Sequence, residues 1–415
     1  MKILLSAYSC EPGQGSEPGV GWNLVREIAK YHQVWVLTRP DESKDIIEAE
    51  LARNPVPNLH FVYFTLPFWY DSRRWGQAGG MQLHYYLWQI QAYFVARKLH
   101  RKIEFDVAHH ITFVKYSTPS FLSLLPIPFI WGPVGGGETA PAPFWRDFSW
   151  RNQIYEWLRM LAREIGELDP FTWLTAQRSA IVYATTEDTA KRVRYLGSEN
   201  VKIMPESGLF QHEIDRLAQL SPPTQSPVRF ISIARLLHWK GLHLGLRAFA
   251  KANLPDSEYW LLGKGPELNH LQALSLDLGI AHKVKFLGHL PRCKVLEKIE
   301  QSSVLIHPSL HDSGGWVCLE AMAAGRPVIC LDLGGPAEQV TSETGFRIPA
   351  HTPEQSVSDL AKAMIQLAEN VNLRVEMGRR GQQRVQELFS WDVKGKLFTQ
   401  IYQDLVSFHP TVMKT

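Results

Sequence analysis

Residues 303–340 constrain the fold more than any other stretch of the chain. Residues 304–306 are a short apolar run, so a buried strand, and 307–315 form a polar loop containing glycine. Residues 316–324 have helical spacing. Gly325 then stands where a helix end needs positive φ, and Pro327 blocks continuation. Residues 328–331 give a second buried strand, and Gly334 and Gly335 lead into Pro336, a favourable first helical residue. Strand–loop–helix, repeated, is the grammar of a doubly wound parallel α/β sheet.

Two helices therefore start from loops at one edge of that sheet. Each start presents unpaired N–H groups and the positive end of a helix dipole. Gly314, Gly315, Gly334 and Gly335 let a ligand come close to the backbone there. Such an edge suits a diphosphate. Asp312 stands on the first loop, and Glu320 lies eight positions later on the helix. Carboxylates touching phosphates would repel them, so their expected role is to accept hydrogen bonds from sugar hydroxyls. The plainer reading is a βαβ unit with two surface acids.

The run Asp312-Ser313-Gly314-Gly315-Trp316-Val317-Cys318-Leu319-Glu320 resembles the carboxylate-x7-carboxylate signature of the family 4 retaining glycosyltransferases, the group 1 glycosyl transferases of GT-B fold. Members usually read Glu-Gly-Phe-Gly-Leu-x-x-x-Glu. Glu320, Ala321, Met322 and the Gly-x-Pro-Val turn at 325–328 match; Asp312 is about one methylene shorter than the usual Glu. A second match is Ala234-Arg235-Leu236-Leu237-His238-Trp239-Lys240-Gly241, similar to the family's Gly-Arg-Leu-x-x-x-Lys-Gly. The resemblance implies that Arg235 and Lys240 are the cationic pair on a donor diphosphate. Two cations offset two phosphate charges without a metal. Residues 263–267 resemble the family's Gly-x-Gly-Pro turn, and 284–288 the strand whose backbone meets the nucleobase. Gly263 and Gly288 join the donor set with Trp316. No Asp-x-Asp occurs, so neither a metal nor another cofactor is expected.

The first half resembles the family more loosely. A strand at 2–8 leads into a glycine-containing loop at 9–21 and a helix at 22–30. Pro18 occupies the third place of the dinucleotide fingerprint, and no Gly-Lys precedes Ser or Thr, so neither a dehydrogenase nor a P-loop enzyme is indicated. Gly19 and Gly21 match the family's glycine region beside the acceptor. Residues 105–110 read as a strand whose end carries His109 and His110, in a place where many members have Asp-Val-Val-His. The expected catalytic pair is Asp312 with His109, and His110 is expected to line the acceptor side. Mannosyltransferases of phosphoinositol lipids place a His in the next loop. This chain has Gly135, Gly136 and Gly137 there, whose amides are expected to face the substrate.

Residues 65–103 hold nine aromatic residues and six Lys or Arg against one acid, Asp71. Leu83, Leu87, Ile90 and Phe94 share one helical face. Arg73, Arg74, Arg97 and Lys98 are the cations expected to meet an anionic membrane surface. The competing reading is a core helix with cations at its C-terminal dipole.

The 415 residues are 45% apolar and 20% charged, enough for two cores, and the net charge of +3 does not argue for nucleic acid. Four scattered cysteines with no C-x-x-C pair suit a reduced compartment. No apolar run approaches a membrane span and no signal pattern opens the chain. Two Rossmann-like domains are expected, 1–209 for the acceptor and 228–390 for the nucleotide sugar, joined by a linker at 210–227. A last helix at 391–408 returns to the first domain. The expected activity is transfer of a hexose, with retention, from a nucleotide-diphosphate sugar to a membrane glycolipid or lipid-linked glycan. The setting is cytoplasmic or peripheral on the cytoplasmic face of a membrane. A sugar-nucleotide epimerase and a non-catalytic sugar-nucleotide binder are the alternatives.

Overall fold

A computed structural model describes residues 1–41, 43–69, 71, 80–221, 224 and 226–408. Arg73 and Arg74 lie outside the described residues. The chain divides into two compact units, one comprising Met1–Gly137, Arg159–Glu206 and Trp391–Thr415, the other Glu138–Leu158 and Ser207–Ser390.

The first unit holds seven strands: β1 (Lys2–Ala7), β2 (Gln33–Thr38), β3 (Leu59–Tyr63), β4 (Val107–Thr112), β5 (Phe129–Val134), β6 (Ile181–Ala184) and β7 (Val201–Ile203). They lie parallel in the order β3-β2-β1-β4-β5-β6-β7. The second unit holds β8 (Val228–Ile233), β9 (Ser257–Leu262), β10 (Val284–Gly288), β11 (Val304–His307), β12 (Val328–Leu331) and β13 (Gly345–Ile348). Their order is β10-β9-β8-β11-β12-β13, again parallel. Strands covered on both faces lose water along their whole length, and any polar side chain on them needs an internal partner. β4, β5, β11 and β12 accordingly have every residue buried. Each sheet reverses its winding once, between β1 and β4 and between β8 and β11. Loops at the carboxyl ends of the strands diverge at such a switch point and leave a crevice.

The expected boundaries shift in three places. Residues 138–158 join the second unit, because Ala140, Phe144 and Phe148 are buried in its core with Leu242, Leu244 and Phe249. Residues 210–227 are not a bare linker. They contain the helix Gln211–Ala218, whose Ile214 and Leu217 enter the second unit's core with Leu209, Trp260 and Leu305. The first glycine-containing loop ends early, since the helix Ser16–Ala29 already includes Gly19 and Gly21. A Cβ on Gly21 would lie 2.4 Å from the Ser9 carbonyl, so this glycine serves close packing.

Residues 150–178 form two helices, Trp150–Glu167 and Pro170–Arg178. Pro170 starts the second, and the Asp169 carboxylate accepts the Phe171 N–H at 2.9 Å as its cap. The helix Trp391–Phe408 belongs to the first unit, where it packs on Ser16–Ala29. Among the described residues no helix is long and apolar enough to cross a membrane.

Candidate functional site

The second unit brings Lys240 and Asp312 together at the β8/β11 switch point. After β8 the chain forms a loop through Arg235 to Lys240 and turns at Gly241, which has φ 62°. A Cβ there would stand 2.0 Å from the Pro308 carbonyl, so only glycine lets this loop press against the loop after β11. The Leu310 N–H donates to the Trp239 carbonyl at 2.8 Å and fixes the same approach. As a result Lys240 Nζ lies 2.5 Å from Asp312 Oδ2, and His307 Nε2 reaches that oxygen at 3.1 Å. Burial raises the cost of charge on Asp312, but the Lys240 ammonium and the His307 contact outweigh it and hold the carboxyl well below its usual range. Asp312 is thus a carboxylate at any ordinary pH, with its side chain 18% exposed.

Three residues on, Gly315 takes φ 58° and opens the helix Trp316–Ala323. Four residues into that helix, Glu320 is buried and its Oε1 accepts from Arg292 Nη1 at 2.6 Å. Arg292 also meets Glu213 at 2.9 Å. Burial pushes the Glu320 pKa up; Arg292 opposes this and Glu213 adds to it. The Gly314 carbonyl accepts from Ser207 Oγ at 2.8 Å, and Gly335 N–H donates to the Asp312 carbonyl at 2.7 Å. The loop bearing the carboxylate is therefore held from both sides.

In the same unit, a cavity of about 700 Å³ is lined by Arg235, Leu237, Gly263, Gly288, Leu290 and Val295, among others. Arg235 is exposed on this wall, on the same loop as Lys240. The Gly263 N–H donates to the Gly288 carbonyl at 2.8 Å, so the two glycines form one edge of the cavity. A largely apolar slot with Arg235 and Lys264 on its wall has the chemistry to hold a flat base and the phosphate attached to it.

Sequence reasoning missed the groups that hold this site in shape. Glu156 is fully buried, and its Oε1 accepts from His238 Nε2 at 3.0 Å and His311 Nε2 at 3.1 Å. His238 stands on the Lys240 loop and His311 next to Asp312, so one carboxylate fastens both loops. Tyr155 stacks on Trp239 and Trp239 on His311, with centroids 5.5 and 5.2 Å apart. Glu156 lies 155 residues from His311 in sequence, and no local spacing could reveal the pairing.

The first unit does not present its expected residues in this way. His109 is a correction. β4 continues to Thr112, so His109 lies mid-strand, fully buried. Its Nδ1 pairs with Tyr402 Oη at 2.7 Å and its Nε2 with the Gly132 carbonyl at 2.6 Å. Both ring nitrogens are committed to the core, and burial drives the pKa down to about 3. A proton-transfer role is not available to that ring. His110 is buried as well, with Nε2 3.0 Å from the Thr112 carbonyl and its pKa pushed down to about 4 by burial. It therefore packs in the core and does not line an acceptor surface.

The glycine loop after β5 is a further correction. Gly135 N–H donates to the Val114 carbonyl at 3.0 Å and Gly137 N–H to Thr189 Oγ1 at 3.0 Å, so these amides are spent inside the fold. Gly136 takes φ 96° between them. Arg97 and Lys98 are exposed near the end of the helix Met81–Ile103.

Comparison with solved structures agrees with this architecture. Sucrose-phosphate synthase from Thermosynechococcus elongatus superimposes with a TM-score of 0.66 at 18% identity, over 98% of this chain and 99% of that one. HepE from Anabaena, solved in complex with UDP-glucose, gives 0.56 at 16% identity over 97% and 100%. The fold is that of the GT-B class, two Rossmann-like α/β domains in one chain. Residues 215–384, which include every donor-side residue above, match the family model described as Glycosyl transferases group 1. A lipopolysaccharide core biosynthesis glycosyltransferase, LpsE of Rhizobium meliloti, is 30% identical over 198 residues, 48% of this chain and 54% of that protein. The chain spans about half the length of the curated relatives it matches.

Proposed function

We propose that the chain is a glycosyltransferase that moves a hexose from a nucleotide-diphosphate sugar to an acceptor, with retention of anomeric configuration. One observation carries the reading. Lys240, His307 and the ionised Asp312 converge on the loop that leads into the Gly315 helix start, and Arg235, on the same loop as Lys240, lines a cavity.

Breaking the bond from C1 to the phosphate oxygen leaves negative charge on the diphosphate and positive charge on the sugar. Arg235, Lys240 and the amides at the start of Trp316–Ala323 stabilise the first charge, already in place before it develops. Asp312 accepts from the sugar hydroxyls and favours the second. Glu320, steadied by Arg292, takes the ribose hydroxyls. The base lies in the slot between Gly263 and Gly288. Because the two cations supply the charge compensation, the reaction runs without a metal.

LpsE is named for lipopolysaccharide core biosynthesis. That name and the basic aromatic residues 65–103 support a glycolipid or lipid-linked glycan as acceptor. The test is turnover of a panel of labelled nucleotide-diphosphate hexoses with a bacterial lipid extract, followed by proton NMR of the new anomeric centre. Transfer with retention, undiminished by a metal chelator, is expected. Inversion would overturn the stereochemical part, and absence of both transfer and donor hydrolysis across the panel would overturn the whole.

A further inference from the structure

Apolar side chains left in water are ordinarily scattered, and a contiguous set marks a surface with a partner. In the second unit Leu276, Val371 and Leu388 are exposed singly, and Trp150, Ile154 and Trp157 lie together on the start of one helix. In the first unit exposure is concentrated on two helical segments. Leu161, Ile165 and Leu168 follow one another at helical spacing at the end of Trp150–Glu167 and just past it, and Ile165 is 60% and Leu168 81% exposed.

The second segment is the helix Met81–Ile103. The face through Leu83, Leu87, Ile90 and Phe94 points outward, with Leu83 52% and Phe94 60% exposed; it is not the core face, which Tyr85, Trp88 and Ala92 supply. The two segments adjoin. Tyr86 Oη donates to Asp169 Oδ2 at 2.9 Å, and Tyr86, Phe121 and Phe171 follow in ring contact at 5.9 and 5.1 Å.

Charge identifies the occupant. The Met81–Ile103 helix contains no acid. Its outward stripe continues past Phe94 as Arg97, Lys98 and Arg101, with Lys102 beside them, all exposed. Among the described residues none of these four has an ion-pair partner. The solvent-facing acids close by in sequence are Glu104 and Glu164. An apolar stripe that passes into a cluster of cations fits an anionic bilayer: the aliphatic and aromatic groups enter the acyl boundary while the cations stay at the headgroups.

We propose that this double stripe is the surface by which the protein docks on an anionic lipid membrane. The proposal deepens the reading of a lipid-linked acceptor and rests on it for its purpose. Flotation reads binding without turnover, so the two can fail separately.

The experiment is flotation of the full-length protein with phosphatidylcholine vesicles, with and without about one third phosphatidylglycerol. The protein should float with the anionic vesicles at low salt and stay behind with neutral ones. The triple variant F94S/I165S/L168S should lose about tenfold of the floated fraction. Replacing Arg97, Lys98, Arg101 and Lys102 by Ser should abolish the preference for anionic vesicles. Both variants change exposed side chains only, and unchanged melting curves show that they fold. Failure of the wild type to float at low salt overturns the proposal, as does flotation of both variants equal to that of the wild type. So does a dimer in solution that the triple variant breaks while vesicles remain unbound.

Discussion

In the first unit, His109 and His110 are buried mid-strand, and their ring nitrogens bond to Tyr402, Gly132 and Thr112 of the same unit. In the second, His307 reaches the part-exposed Asp312, and His238 and His311 on two switch-point loops reach the buried Glu156. The two sheets follow the same winding rule, yet only one spends its polar residues where a ligand can arrive. A histidine near the end of a strand says little by itself. What distinguishes the second unit is that several separated loops contribute to one cluster, and that glycines at their turns let those loops touch.

The largest contrast should come from Lys240. Lys240→Met removes the cation from both Asp312 and the leaving diphosphate. Its kcat/KM should fall by roughly 10²–10³-fold, read in the hexose-transfer assay. A loss under tenfold would place the charge compensation elsewhere.

Acid should separate the units next. Folded His109 and His110, and His32 as well, take up protons only near pH 3 to 4, whereas unfolded histidine does so near 6.5. Between those values the unfolded chain binds more protons, so stability rises with pH and is lost as pH falls from about 6.5 toward 3. Between pH 7.5 and 5 each such histidine should cost roughly 2 kcal/mol. Asp312 behaves oppositely. Its folded pKa is depressed, so its contribution is present above the unfolded value near 3.9 and persists at pH 5. Thermal melts at the two pH values should show a marked acid loss in the wild type and a smaller one in His109→Gln. Equal losses would mean that the ring is not held neutral.

Glu156→Gln should come third. The amide keeps the shape but no longer draws both histidines, so the Lys240 and Asp312 loops loosen. We expect about a tenfold fall in kcat/KM, carried mainly by KM for the donor. A pure loss of thermal stability with unchanged KM would make Glu156 a core residue only.

The smallest effect belongs to His109→Gln assayed at pH 7.5. Positioned proton transfer is worth roughly 10²–10⁴-fold, and a packing role should leave kcat of the folded protein within about threefold. A hundredfold loss in kcat with normal melting would restore the catalytic reading.

Much of the second unit was legible in the sequence because its signals are local. Short apolar runs between glycine-rich turns gave β11 and β12. The spacing of Arg235 to Lys240 and of Asp312 to Glu320 follows from one strand–loop–helix connection each. Long-range pairings were not legible. Glu156 reaches two loops from a helix whose polar residue looks like any other. The outward face of Met81–Ile103 reads as a core face, since periodicity locates a stripe and not the side of the helix that the sheet covers. His109 misled because a strand's end cannot be counted from its residues: β4 runs two residues past the expected end at His110 before the chain turns.

The account stands or falls on the grip around a diphosphate in the second unit. Calorimetric titration with nucleoside diphosphates, and with the matching nucleosides, measures that grip directly. At least one diphosphate should bind, its nucleoside should bind at least tenfold more weakly, and Arg235→Met should remove most of the difference. If no diphosphate binds, or if diphosphate and nucleoside bind alike in wild type and variant, the loops around Asp312 and Gly315 are not a phosphate site.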